Sequence, residues 1–238
     1  MKANIYTVIP ARGGSKSIPR KNIKLLNGRP LIEYSIDYSK QSQLVSKTIV
    51  STDDMEIASI AKELGAEVPF MRPSILSGDL VPDYPVMFHA LEELERIYSE
   101  TIDIIVLLRP TSPLRPPNLI EQGIELLQKD QQATSIRAVT LAKEHPYRQW
   151  GNQKDGYISG FSNKISNKSE PFNLPRQKLP ETFFQTGDIE IIRRETLIQG
   201  SVSGKRVLPL IIDSEKVYDI DSQDDFELVE RNLETPEK

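Results

Sequence analysis

Short apolar runs alternate with amphipathic stretches along the first 142 residues. NIYTVIP (4–10), KTIVSTD (47–53), IDIIVLLRP (102–110) and ATSIRAVTL (133–141) are apolar and β-branched, the composition of buried strands. Between them, 30–41, 54–65, 84–98 and 118–130 space their apolar residues as helices do. In the second, Ile57, Ile60, Ala61 and Leu64 share one face, and Gly65 supplies a C-terminal stop. Continuous apolar strands alternating with amphipathic helices predict an α/β fold, a mostly parallel sheet with helices on both faces.

The pattern breaks near residue 143. Over 143–181 the helical spacing vanishes and polar, Gly, Pro and aromatic residues take over, which predicts an irregular insertion or hairpin arm. Regular structure returns at 182–198 and in the strand RVLPLII (206–212). The segment YDIDSQDDFELVERNLE (218–234) reads as a strand end running into a helix, with Ser222 as N-cap. An α/β domain of residues 1–142 and 182–238 with an arm at 143–181 is the expected organisation.

Charge and composition narrow the chemistry. Thirty Lys and Arg against 34 Asp and Glu leave a net charge of −4, which argues against an electrostatic grip on nucleic acid. The absence of cysteine excludes disulfides, thiolate catalysis and cysteine-bound zinc. The two histidines cannot build a histidine-rich metal site: His89 reads as a structural residue in mid-helix and His145 as part of the arm. Any metal would sit on carboxylate oxygens, which favours Mg²⁺ or Mn²⁺. No stretch approaches the roughly 18 apolar residues of a membrane span. The start MKANIYTVIPARGG lacks an apolar signal segment, so a soluble, cytoplasmic protein with no membrane partner is expected.

Two stretches carry candidate chemistry. IPARGGSKSIPRKN (9–22) follows the first strand, at the edge of an α/β sheet where ligands gather. Gly13 and Gly14 let the backbone approach an anion, and Arg12, Lys16, Arg20 and Lys21 supply positive charge. Neither G-x-x-x-x-G-K-[ST] nor G-x-G-x-x-G is present, so a phosphate cradle and a plain solvated basic loop both remain open. Near the other end, DIDSQDDF places Asp219 and Asp221 two residues apart, on one face of the expected strand, where two carboxylates can converge on a hard cation. Asp224 and Asp225 read instead as first-turn helix acids.

Together with LLRPTSPLR (107–115), these stretches resemble the acylneuraminate cytidylyltransferases, or CMP-sialic acid synthetases, including relatives that act on legionaminic and pseudaminic acid. VSTDD (50–54), RPSILSGD (72–79), LPRQKLPETFFQTGDIEII (174–192) and DIDSQDDF (219–226) match further blocks in family order, over almost the whole chain. The resemblance implies a Rossmann-like fold of the nucleotide-diphospho-sugar transferase type. It also implies a Mg²⁺-dependent reaction in which CTP and an acidic nine-carbon α-keto sugar give a CMP-sugar and pyrophosphate. The arm would cross a two-fold axis, making a homodimer or, by further assembly, a tetramer.

By matching position, the nucleotide would be held by Ala11, Arg12, Gly13, Ser15, Lys16, Lys21, Asn22, Arg72, Ser77 and Asp79. The sugar would meet Arg109, Thr111, Ser112, Gln185 and Thr186, with Arg148 and Arg176 reaching a neighbouring subunit's sugar site. Asp219 and Asp221 would hold the metal, and Arg12, Lys21 and Asp221 would carry catalysis. The chain departs from the pattern where sugar contacts are expected. Arg109 replaces a glutamine, Thr186 an asparagine, and Glu190 stands near the usual aromatic. Arg109 either holds the sugar's carboxylate, alters its neighbourhood, or merely pairs with Asp53 or caps a strand end. Trp150 reads as a dimer anchor or core plug. CMP-Kdo synthetase is the nearest rival, and a non-catalytic CTP-binding dimer is the rival of another class.

Overall fold

The computed structural model describes residues 3–153, 155–161 and 170–234. The chain opens with β1 (Ile5–Pro10), a small hairpin of β2 (Leu25–Leu26) and β3 (Arg29–Pro30), α1 (Leu31–Gln41), β4 (Lys47–Ser51) and α2 (Met55–Glu63). It continues through α3 (Asp83–Tyr98), β5 (Ile104–Leu107), α4 (Leu119–Lys129) and β6 (Ser135–Leu141). The arm contributes β7 (Trp150–Asn152) and β8 (Ile158–Gly160). After it come β9 (Phe183–Arg193), α5 (Arg194–Ile198), β10 (Val207–Ile211) and α6 (Gln223–Glu234).

The main sheet runs β10-β6-β9-β5-β1-β4. β1 is parallel to β4 and β5, and β10 is parallel to β6, while β9 runs antiparallel between β5 and β6. The expected mostly parallel sheet is therefore present, with one reversed strand at its centre. Along β1, Ile5 and Ile9 face α1, α2 and α4, whereas Tyr6 and Val8 face α3 and α5. Both faces are covered, which is why the strands read as unbroken apolar runs.

A third apolar cluster positions the functional end. Ile18 of the first loop packs with Leu26, Leu31, Ile220, Phe226 and Val229, so β2–β3, α1 and α6 clamp that loop against the C-terminal aspartates. Residues 218–221 are not a strand, contrary to the alternating pattern of YDID. Ile220 is buried and its N–H donates to the Thr111 carbonyl at 2.8 Å, a single anchor rather than a ladder. Ser222 caps α6 as expected. Its Oγ accepts from the Asp225 N–H at 3.2 Å, and Asp225 Oδ2 accepts from the Ser222 N–H at 2.7 Å. Asp225 is thereby explained as a capping acid.

The arm is a hairpin, with β7 and β8 antiparallel and the Trp150 ring 4.5 Å from that of Phe172. His145 Nδ1 accepts from the Tyr147 N–H at 3.0 Å, and the His89 ring meets Phe70 edge-on at 5.2 Å, so both histidines pack locally. Lys154 and residues 162–169 of the arm lie outside the described residues. Among the described residues no helix is long and apolar enough to cross a membrane.

Candidate active site

The first loop leaves the end of β1, and its backbone is fastened to β4 and to the start of α2. The Ala11 N–H donates to Ser51 O at 2.9 Å, and the Gly13 N–H donates to Asp53 Oδ1 at 3.0 Å. Arg20, at a left-handed φ of 57°, donates to Asp54 Oδ2 at 2.5 Å and to Glu56. Asp54 is itself the N-cap of α2, accepting from the Glu56 and Ile57 N–H groups at 3.0 Å each. Arg20 therefore serves loop anchoring rather than an open anion site. Asn22 Nδ2 closes the turn by donating to Arg12 O at 2.9 Å.

Gly13 is required by this fastening. A Cβ there would lie 2.6 Å from Asp54 Oδ2 and 2.9 Å from Asp54 Cβ, and Asp54 cannot retreat without uncapping α2. Gly14 has nothing within 4 Å of such an atom. Gly13→Ala is expected to cost about 1–3 kcal/mol through overpacking, while Gly14→Ala stays within about 0.5 kcal/mol. Parallel thermal melts of the two variants check this.

Between the loop and the ends of β4 and β5 lies a cavity of about 460 Å³. Of the residues expected at the site, it is lined by Arg12, Ser15, Lys16, Lys21, Asn22, Arg72, Asp79, Arg109, Thr111 and Asp221. Ala11 and Ser112 are buried just behind it, and the Ser77 hydroxyl is turned to Pro73 O at 3.3 Å. Arg148 and Arg176 do not reach it; Arg148 donates to Leu174 O within the arm, at 3.1 Å.

The cavity's cations are held in two ways. Arg12 and Lys16 both grip Asp79, at 2.6 Å each, and these contacts hold its carboxyl below the usual range. Arg72 is the opposite case: its side chain is 4% exposed, Nε and one terminal nitrogen lack partners, and Asp53 Oδ1 is 4.0 Å away. Burial pulls this guanidinium below its ordinary pKa. A buried donor left unpaired is costly, so the Arg72 guanidinium leans on the nearby Asp53 charge while the residue lines the cavity.

Lys21 joins the two ends of the chain. Its Nζ donates to Ile220 O at 2.8 Å, the carbonyl between the two aspartates, and lies 3.7 Å from Asp221 Oδ1. The Asp219 carboxyl is pushed up by burial and by the Asp221 charge, partly offset by a hydrogen bond with Thr111 and by Lys21. Beside it, the site a Gly187 Cβ would fill is 3.8 Å from Asp219 Oδ2 and 3.7 Å from Ser112 Oγ, a buried hydroxyl without a partner. Crowded carboxylates with an unpaired hydroxyl nearby fit a hard divalent cation. Among the described residues no group of three or more His, Cys, Asp or Glu side chains is placed to hold a metal, so other ligands would be phosphate oxygens or water.

Arg109 lines the cavity, and its partners are not the Asp53 that one alternative named. One terminal nitrogen donates to Asp83 Oδ2 at 2.5 Å and to Glu190 Oε1 at 2.7 Å. Glu190, 1% exposed on β9, also accepts from Arg137 at 2.5 Å, and Arg137 donates to Gln185 Oε1 at 2.6 Å. Thr186 is buried beside them. Behind them Arg115, buried with its pKa pulled down to about 10 by desolvation, donates to Asp188 O, Ser35 Oγ and Arg109 O. Asp83 and Arg137 were missed from sequence. The available signal was that two departures from the family pattern, Arg109 and Glu190, carry opposite charge.

A model of the cytidylyltransferase family matches residues 6–228. A post-translational flagellin modification protein B of Campylobacter coli is 35% identical over 229 residues, covering 96% of this chain and 94% of that protein. A CMP-N,N′-diacetyllegionaminic acid synthase of Campylobacter jejuni is 33% identical with the same coverage. Among solved structures, a CMP:2-keto-3-deoxy-manno-octonic acid synthetase complexed with CTP aligns with a TM-score of 0.71. It covers 98% of this chain and 99% of its own at 16% identity, a likeness of fold.

Proposed function

This chain belongs to the cytidylyltransferase family, and from that premise we propose that it joins CTP to an acidic nine-carbon α-keto sugar, releasing pyrophosphate. The observation that carries the reading is Lys21, which ties the basic loop to the 219–221 segment and meets Asp221 at the cavity, with Asp219 buried behind it. In the reaction, the sugar's anomeric oxygen bonds to the α-phosphorus as the bond from that phosphorus to the β-bridging oxygen breaks. Pyrophosphate departs and the hydroxyl proton is released.

The residues divide the work by chemistry. Lys21, Arg12 and Lys16 neutralise the triphosphate, whose oxygens compete with Asp79 for the last two. Arg72, which lines the cavity on the β4 side, would face the cytosine and ribose. Asp219 and Asp221 would hold Mg²⁺, which when bound supplies charge neutralisation at the reacting phosphate. The arm exposes Trp150, Tyr157, Ile158 and Phe161, an apolar surface suited to a second copy of the chain, whose Arg148 and Arg176 would then approach this cavity. A cytoplasmic homodimer is part of the same reading.

The test is pyrophosphate release from CTP and Mg²⁺ with N,N′-diacetyllegionaminic, pseudaminic, N-acetylneuraminic and Kdo acids, with ATP, GTP and UTP as nucleotide controls. Turnover with CTP and at least one nine-carbon acid is expected, and chelation of the metal should abolish it. CTP binding without turnover of any sugar would favour a non-catalytic binding protein. Turnover of Kdo alone would move the chain to the eight-carbon branch.

A further inference from the structure

Between Arg72 and α3 the chain borders the cavity as a loop that packing does not hold. No residue of 73–81 is buried, and Ile75 and Leu80 are 82% and 96% exposed. Its backbone bonds close on themselves among the described residues. The Leu76 N–H donates to Pro73 O at 2.9 Å, the Ser77 N–H to Ser74 O at 2.9 Å and the Val81 N–H to Gly78 O at 3.2 Å. A segment with so few ties to the body of the protein takes its position from whatever tie remains.

That tie is Asp79. Its Oδ1 accepts from Arg12 at 2.6 Å and its Oδ2 pairs with Lys16 at 2.6 Å, so both oxygens are spent on cations of the first loop. The cavity's other cations have partners on the folded body: Lys21 holds Ile220 O, and Arg109 holds Glu190 on β9. Among the described residues the ion pairs of Arg12 and Lys16 run to Asp79 alone. Their side chains are 33% and 83% exposed, within reach of a dissolved anion. Two cations each gripping one oxygen of a single anionic group is also how they would grip a phosphate. A triphosphate carries several negative charges against one on Asp79, and ion pairs this exposed are individually weak.

Resting on the cytidylyltransferase reading, we propose that Asp79 is an internal competitor of the triphosphate: its carboxylate holds Arg12 and Lys16 as a phosphate would, and a nucleotide binds by displacing it and releasing 73–81 from the first loop. Asp79 thereby lowers nucleotide affinity, the reverse of the nucleotide-holding role that its position in the family pattern implies.

Calorimetric titration of the full chain tests this, with CTP, inorganic tripolyphosphate and cytidine as probes. Asp79→Ala should bind CTP and tripolyphosphate at least threefold more tightly than the parent and bind cytidine no more tightly. Asp79→Asn, which keeps the shape and loses the charge, should move in the same direction by a smaller factor. Thermal melts of both variants verify folding, and Asn is the readout if Ala does not fold. Weaker CTP binding by the folded variants would make Asp79 a nucleotide ligand and overturn the proposal. Unchanged CTP binding would overturn it too. A gain for CTP that tripolyphosphate does not share, or that cytidine shares equally, would place the effect at the base and also overturn it. If the parent binds none of the three probes, the cytidylyltransferase reading fails and the proposal with it, an outcome distinct from any difference between parent and variants.

Discussion

Lys21→Met is expected to lower kcat by about 10²–10³-fold, the usual cost of removing one preorganised charged donor from a transition state. The lysine side chain is only 12% exposed, so its charge acts in a partly desolvated site. Three consequences follow from its loss. The Ile220 carbonyl loses its ammonium donor, Asp219 and Asp221 lose the nearest cation between them, and the reacting phosphates lose a fixed positive charge. Phosphoryl and nucleotidyl transfer depend mainly on positioning and charge neutralisation, so the loss should fall on kcat more than on the KM for the sugar. Lys21→Arg should recover part of the activity, because the charge returns with a different reach. Initial-rate measurements on both variants, with melting curves to confirm folding, check the prediction. A Lys21→Met enzyme within fivefold of the parent in kcat would remove Lys21 from the catalytic centre.

The sheet was legible where burial on both faces forced long apolar runs. β1, β4, β5 and β6 all fall inside stretches that could be marked from sequence, and α1 to α4 end within two residues of the expected limits. The place and direction of β9 were not legible. TFFQTGDIEIIRR mixes polar and apolar positions because its first half borders the functional end and its second half is core, with Ile189, Ile191 and Ile192 fully buried. Nothing local sets its antiparallel course between two parallel neighbours. YDID misled for the converse reason: alternation alone suggested a strand, but the segment is held by one backbone bond and by Ile220 in an apolar cluster.

The candidate site divides along the same line. The glycines and cations of residues 11–22 announce themselves by composition, and the aspartates by spacing. Their mutual arrangement depends on a lysine and a carbonyl 199 positions apart in sequence, which no local pattern encodes. Arg109 stood out against the family pattern, and of the alternatives weighed for it the pairing with Asp53 is not the one formed. Asp53 is engaged by the Gly13 N–H, whereas the acid that meets Arg109 at the cavity comes from the first turn of α3. Asp83 carries no local mark in sequence, because an acid at the first turn of a helix is ordinary.

Arg109 and Glu190 should behave as one coupled substitution. Glu190 is buried in the sheet between two arginines whose side chains are 20% and 24% exposed, so its negative charge is tolerated only because both are present. Glu190→Ala should cost about 3 kcal/mol, the low end for breaking a buried ion pair, because Arg109 keeps Asp83 and Arg137 keeps Gln185 and Ser203. For a chain of this size that corresponds to a fall in Tm of about 6–12 °C. Arg109→Gln alone should also destabilise, since Glu190 would then face a neutral neighbour and only Arg137. Combining Arg109→Gln with Glu190→Tyr installs the glutamine and aromatic that the family pattern shows at and near these positions, and removes the buried charge with its partner. The double variant should therefore be more stable than the two single changes predict by addition, with a coupling of about 1–3 kcal/mol. Chemical denaturation of the parent, Arg109→Gln, Glu190→Tyr and the double variant measures that coupling. Simple additivity would mean that the two departures arose as separate accommodations, and that Arg137 alone suffices to hold the buried glutamate.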